Sequence, residues 1–306
     1  MQIKIGTRGS KLALWQAYYV EDILKSAGID TEIVTIETKG DKIQDRSLSK
    51  IGSKGLFTEE LEEQLRTSDI DIAVHSAKDL QSDLAEEFEL LAFTEREEVN
   101  DVLVSLNKKL NLESGEKFIV GTSSTRRIAM LKAYYPHIKT VDMRGNLQTR
   151  MAKLEAGNCD ALLLAFAGVH RMKYDEFIAQ KINTESFIPA VGQGSVAIQS
   201  MRALDTEKRK IIRQLLNHKT TEEALLAERS FLKTLQGGCS VPVFALAQEK
   251  NGLLKIKGGV ISLDGSQTII DTVSGKPEMA TEIGNELAQK IIEQGGKAIL
   301  DAIKQA

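Results

Sequence analysis

Short apolar runs alternate with amphipathic stretches through the first two thirds of the chain. The runs at 2–5, 32–37, 70–75 and 89–93 have the length and flanking polarity of strands. Between them, 12–27 and 58–66 place apolar residues at helical spacing. The rhythm resumes with strands predicted at 101–106, 117–121, 138–143 and 161–165, and helices at 126–135 and 147–155. Strands alternating with helices predict α/β domains with mostly parallel sheets. A charged segment without periodicity, 95–100, divides this part into two such domains. One more apolar strand, 194–199, follows the turn Pro189-Ala190-Val191-Gly192, and its pattern does not say which sheet it joins.

The last third changes style. Thr220 and Glu223 have the spacing of a capping box, which predicts a helix over 222–235. Strands at 241–248, 253–261 and 268–274 follow, separated by the hairpin signals Asn251-Gly252 and Asp264-Gly265. A helical pattern over 277–303, bent near Gly295-Gly296, closes the chain. This part predicts an α+β domain with a three-stranded antiparallel sheet.

With 306 residues the chain has room for two or three cores. Its net charge of −3 and 5% aromatic content argue against a broad basic surface with stacking rings, hence against a nucleic-acid binder. A local basic cleft is compatible with that charge. The start of the chain lacks a signal-peptide core, and no run approaches the roughly 18 apolar residues of a membrane span. The expectation is a cytoplasmic protein without a membrane partner. Its two cysteines, Cys159 and Cys239, are then reduced thiols. Four histidines scattered singly give no metal-ligand spacing.

Candidate chemistry collects where strands end. Thr122-Ser123-Ser124-Thr125 leads from a strand into a helix, offering backbone N–H groups and hydroxyls to an anion. Arg126 and Arg127 fall in the first turn of that helix, where the dipole disfavours each cation by about 0.3–1 kcal/mol. They need a compensating anion, or they point into water. Arg144-Gly145-Asn146 and Arg150 follow the next strand, Arg8 and Ser10 follow the first, and Lys50 and Lys54 flank a glycine-containing loop. Ligands of open α/β sheets bind beyond the carboxyl ends of strands, and guanidinium forks suit carboxylates and phosphates. Neither GxxxxGK[ST] nor GxGxxG occurs, which disfavours nucleotides. These groups indicate a polyanionic ligand.

Asp79 arrives just past the strand 70–75 in His75-Ser76-Ala77-Lys78-Asp79. In a basic cleft it accepts N–H donors and stabilises a developing cation; alternatively it pairs with Lys78 or an arginine. His75 reads as a structural residue. Cys239, in Gly237-Gly238-Cys239-Ser240, sits on a loop with space around its thiol, whereas Cys159 reads as a core residue.

Together these motifs resemble the porphobilinogen deaminase (hydroxymethylbilane synthase) family. The matching segments are Ile5-Gly6-Thr7-Arg8, Ser10-Lys11-Leu12-Ala13-Leu14-Trp15-Gln16-Ala17, Lys54-Gly55-Leu56-Phe57, His75 to Asp79, and Gly121-Thr122-Ser123-Ser124 with Arg126-Arg127. Arg144-Gly145-Asn146, Pro189-Ala190-Val191-Gly192-Gln193-Gly194 and Gly237-Gly238-Cys239 complete the set, in order along nearly the whole chain.

The resemblance implies two lobes like those of periplasmic binding proteins, with the active cleft between them, and a third domain carrying the cysteine. The implied domains are 1–95 with 194–214, then 100–190, then 218–306. It implies a dipyrromethane cofactor held by a thioether on Cys239, since sulfur is a strong nucleophile toward an electrophilic azafulvene carbon. It implies condensation of four porphobilinogen molecules, each bringing two carboxylates, and release of hydroxymethylbilane by water, in haem biosynthesis. Asp79 would be catalytic. Cofactor contacts would come from Ser76, Lys78, Asp79, Thr122, Ser124, Arg126, Arg127, Arg144 and Gly145. Substrate contacts would come from Arg8, Ser10, Lys50, Lys54, Arg144, Arg150, Arg171 and Gln193.

Two positions depart from the family pattern: Leu80-Gln81 stands where a proline usually follows the aspartate, and Gly9 where a larger polar residue is common. Neither removes a reacting group. Nothing demands a partner subunit, so a monomer is expected. The competing reading is a non-catalytic anion receptor. It explains the arginines but leaves Asp79 and the Gly-Gly-Cys loop without a role, and a secreted receptor should carry an export segment.

Overall fold

The structure is a computed structural model and describes residues 1–38, 58–237 and 241–305. Residues 1–97 supply β1 (Gln2–Arg8), α1 (Lys11–Ser26), β2 (Asp30–Ile36), α2 (Glu59–Arg66), β3 (Ile72–Ser76), a 3-10 turn (Ala77–Asp79) and β4 (Phe88–Phe93). Residues 98–193 supply β5 (Asp101–Val104), β6 (Ile119–Gly121), α3 (Thr125–Tyr134), β7 (Lys139–Val141), α4 (Leu147–Glu155), β8 (Ala161–Ala165), α5 (Phe166–Arg171) and β9 (Ile178–Lys181). Then come β10 (Val196–Met201), α6 (Thr206–Leu216), α7 (Lys219–Thr234), β11 (Val243–Lys250), β12 (Leu253–Ile261), β13 (Thr268–Gly275), α8 (Ala280–Ile291) and α9 (Lys297–Gln305).

These elements form two compact units, Met1–Glu97 with Gly194–Glu222, and Glu98–Gln193 with Glu223–Ala306. The first unit holds a five-stranded sheet in the order β2-β1-β3-β10-β4. β1 runs parallel to β2 and β3, while β10 runs antiparallel to β3 and β4. Alternation places Ile3, Ile5, Ile72, Val74, Val196 and Ile198 on one face, against Val20 and Leu24 of α1 and Ile212 and Leu216 of α6. Ala73 and Phe88 lie in a second layer with Leu61 and Leu65 of α2.

The second unit repeats the plan and adds a sheet. Its five strands run β7-β6-β8-β5-β9, with β6 parallel to β7 and β8, and β5 antiparallel to β8 and β9. Both α/β sheets are therefore mixed, where mostly parallel sheets were expected. A crossover helix imposes parallel order. Among the described residues, β5 and β10 are each reached from the preceding strand by a segment without such a helix. The third sheet, β11-β12-β13, is antiparallel throughout. It packs on Phe231 of α7 and Leu287 of α8. Its Phe244, Leu246 and Ile261 join the core that covers Leu103, Val120 and Leu163 of the α/β sheet.

Local chemistry sets several helix starts. Ser10, Ser124, Asn146 and Asp205 cap α1, α3, α4 and α6, their side-chain oxygens accepting N–H groups of the first turn. α7 starts earlier than predicted. His218 accepts the Glu222 N–H through its carbonyl, and its ring Nδ1 lies 2.9 Å from the Thr221 hydroxyl, so Thr220 falls inside the helix. The last helical stretch breaks at Gly295, whose φ is 100°. Among the described residues no helix is long and apolar enough to cross a membrane.

Candidate active site

In the first unit, β1 and β3 are adjacent parallel strands, so their carboxyl ends emerge side by side. β1 ends on Arg8, and Ser10 caps the helix that follows, accepting the Ala13 N–H at 3.3 Å. β3 ends on Ser76, whose hydroxyl accepts Nε2 of Gln16 from α1 at 2.8 Å. The chain then turns tightly through Ala77–Asp79, anchored by the Ala77 N–H on the Ser195 carbonyl at 3.0 Å. Ala77 and Leu80 are buried on either side of Lys78 and Asp79, which leaves the Asp79 carboxylate exposed.

A cavity of about 70 Å³ lies there, lined by Arg8, Ser10, Gln16, Thr58, His75, Ser76 and Asp79 among others. A guanidinium, hydroxyls and a carboxylate thus share one small polar recess.

In the second unit, β6 and β7 are parallel and the loops beyond them are tied together. The Thr122 N–H reaches the Val141 carbonyl at 3.0 Å, and the Met143 N–H reaches the Ser123 hydroxyl at 3.0 Å. Thr122 is buried, and its hydroxyl accepts the Ser124 N–H at 3.3 Å. Past β7, Arg144 Nε donates to Asp142 at 2.9 Å, and Arg150 Nε donates to the Gly145 carbonyl at 2.9 Å. Gly145 has φ of 106°, a conformation L residues rarely adopt, and an added Cβ would lie 2.7 Å from Thr149. Glycine is therefore required for this turn into α4. Arg171 is the last residue of α5 and half-buried.

A bound carboxylate was one expectation for Arg126 and Arg127. The anion found there is Asp101, the first residue of β5. Arg126 donates to Asp101 Oδ2 at 2.7 Å and to the Ile188 carbonyl at 2.9 Å. Arg127 donates to Asp101 Oδ1 through Nε at 3.0 Å and through its terminal nitrogen at 2.6 Å, and to the Leu163 carbonyl at 2.9 Å. All three side chains are buried. Burial raises the Asp101 pKa, but the two guanidiniums outweigh it and hold the carboxyl at about 2. Gln193, also fully buried, donates to Asp101 at 3.1 Å and to the Val99 carbonyl at 2.7 Å. These three expected ligand contacts belong to one internal cluster.

Asp101 is the residue that sequence reading missed. Its one signal was an acidic residue opening an apolar strand. Lys50, Lys54 and Cys239 lie outside the described residues. Cys159 is buried in the layer with Leu162, Leu164 and Met151. Burial pushes its thiol up, which disfavours the thiolate.

Strand-end guanidiniums and hydroxyls, with an exposed carboxylate on an anchored turn, are groups of an α/β protein whose chemistry suits small acidic ligands. Comparison with known proteins gives the particular family. The profile described as porphobilinogen deaminase, dipyromethane cofactor binding domain, matches residues 3–210, and that of the porphobilinogen deaminase C-terminal domain matches 223–293. A porphobilinogen deaminase of Cytophaga hutchinsonii is 55% identical over 99% of this chain and 97% of its own length. One of Desulfosudis oleivorans is 51% identical over 100% of this chain and 99% of its own. Among solved structures, the VFT2 domain of Bordetella pertussis BvgS matches 75% of this chain and 92% of that one, at 17% identity and a TM-score of 0.44. The chain belongs to the porphobilinogen deaminase family.

Proposed function

We propose that this chain joins four porphobilinogen molecules head to tail with loss of ammonia and releases hydroxymethylbilane after hydrolysis, the reaction of its family. The observation that carries the reading is family membership over the full length, with Asp79 exposed on its turn beside the recess that Arg8 lines.

The donor set fits a dipyrromethane and its substrate. Cations and hydroxyls match acetate and propionate groups, and a carboxylate acceptor matches pyrrole N–H. When bound, the dipyrromethane supplies the nucleophilic pyrrole carbon that starts the chain. We assign its thioether to Cys239; the buried, thiol-favouring setting of Cys159 supports this choice.

Asp79 accepts the substrate pyrrole N–H and stabilises the cation that forms as ammonia leaves. Arg8, Ser10, Ser76 and Lys78 hold carboxylates around it. In the second unit Thr122, Ser124, Arg144, Gly145 and Arg150 do the same at the ends of β6 and β7, with Arg171 beyond. Lys50 and Lys54 join this set on sequence grounds. Arg126, Arg127 and Gln193 act indirectly, by fixing Asp101 and the start of α3. The division 1–95 with 194–214, 100–190 and 218–306 is retained as three domains. A cytoplasmic, monomeric enzyme is part of the proposal.

Intact-mass measurement of the purified protein tests the proposal. The chain should be heavier than its sequence by two linked pyrrole units, and Cys239→Ser should lose that mass. An unmodified chain that leaves porphobilinogen unconsumed would refute the assignment.

A further inference from the structure

Three polar side chains share one otherwise apolar layer of the first unit. The antiparallel register of β3 and β10 sets Ala197 opposite His75 and Gln199 opposite Ala73. Residues 73 and 75 point to the same face, so His75 and Gln199 are diagonal neighbours there. α2 covers this layer with Leu61, Glu62 and Leu65. His75, Gln199 and Glu62 are exposed by only 6%, 0% and 9%.

Gln199 Nε2 donates to Glu62 Oε1 at 2.9 Å, which turns the amide oxygen away from Glu62. That Oε1 and Nε2 of His75 are both buried and unpaired. They belong to diagonal neighbours on one face of the sheet. A buried polar atom left without a partner costs about 1–3 kcal/mol. A ring N–H and an amide oxygen are complementary, donor to acceptor. With the proton on Nε2, the lone pair is on Nδ1. His75 also lines the recess that holds Arg8, Ser76 and Asp79. Burial pushes the imidazole down to about 4, with Gln199 opposing and Arg8 reinforcing, so the ring is neutral at pH 7.

A neutral acceptor cannot hold a carboxylate, and Asp79 takes the pyrrole N–H, which leaves the aminomethyl nitrogen as its partner. We infer that His75 is a further substrate-contacting residue, whose Nδ1 accepts an N–H of the porphobilinogen aminomethyl group, and that Gln199, held by Glu62, is the positioning residue that fixes its tautomer. This rests on the reading of Asp79 as the reaction site.

Nitrogen-15 NMR of the histidine-labelled full chain tests it. The four histidines are separated by the signal lost in His75→Gln. At pH 7 His75 should be neutral with the proton on Nε2. In the Asp79→Asn background, where turnover is slowed, porphobilinogen should shift the Nδ1 resonance, and a pyrrole lacking the aminomethyl group should not. Gln199→Met should mix the tautomers and raise KM about tenfold while kcat stays within about twofold. An Nδ1-protonated or charged His75 in the wild-type spectrum overturns the inference, as does an Nδ1 resonance that porphobilinogen leaves in place in the Asp79→Asn background. A wild-type chain that does not consume porphobilinogen defeats the underlying reading instead, whatever the tautomer.

Discussion

Two aspartates show how the same side chain serves opposite ends. Asp101 is buried with both oxygens taken by guanidiniums, while Asp79 is exposed on a turn that the backbone holds. Asp79→Asn should lower turnover by roughly 10²–10⁴, the range for a lost charge or acid–base group, and move stability by less than about 0.5 kcal/mol. Steady-state assay and urea unfolding separate these effects. Arg126→Leu should do the reverse in kind. It strips one partner from a buried pair, and the loss of stability should be about 3–5 kcal/mol by urea unfolding. The pH dependence has a fixed sign. The carboxyl sits at about 2 when folded and near 3.9 when unfolded. Its stabilising effect is present above pH ~4 and lost as pH falls toward 2. In Arg126→Leu the folded value rises, so this acid window should narrow. The sequence made the need for an anion legible, since two cations open a helix. It could not name Asp101, which lies 25 residues from Arg126 and meets it only in the folded sheet.

Elements were most legible where local rules act alone. Strands β1, β3, β8 and β12 fall where short apolar runs were read, and α4 coincides with 147–155. The capping side chains Ser10, Ser124 and Asn146 end the loops that lead from strands into helices, so the same polar segments that start helices also hold candidate site residues. Motif and local fold are one signal there. Two helix starts show the limit. α6 was not read at all, although Asp205 accepts both the Glu207 and Lys208 N–H groups. Its apolar residues Ile212 and Leu216 become a buried stripe only against the first sheet. α7 begins at Lys219 because His218 accepts the Thr221 and Glu222 N–H groups of its first turn, a role that a Thr-x-x-Glu pattern does not register.

At the scale of the whole molecule, the placement of β10 was illegible from pattern and is decisive for the first unit. An apolar strand carries no address, and only long-range pairing seats β10 between β3 and β4. Among the described residues β4 pairs with no other strand. Residues beyond β10 then close the same edge: the Phe93 N–H reaches the Asn217 side chain at 3.0 Å, and the His218 N–H reaches the Phe93 carbonyl at 2.7 Å. The first sheet therefore cannot be completed by residues 1–97. A chain ending at residue 193 should leave the amides of 88–93 exchanging at unfolded rates, because their ladder partner is missing. A chain ending at residue 222 should protect them, since it restores β10, α6 and the Asn217 contact. Hydrogen exchange on the two truncations reads this directly. Equal protection in both would mean that β4 is held by side-chain packing on Leu61 and Leu65 and not by its pairing with β10.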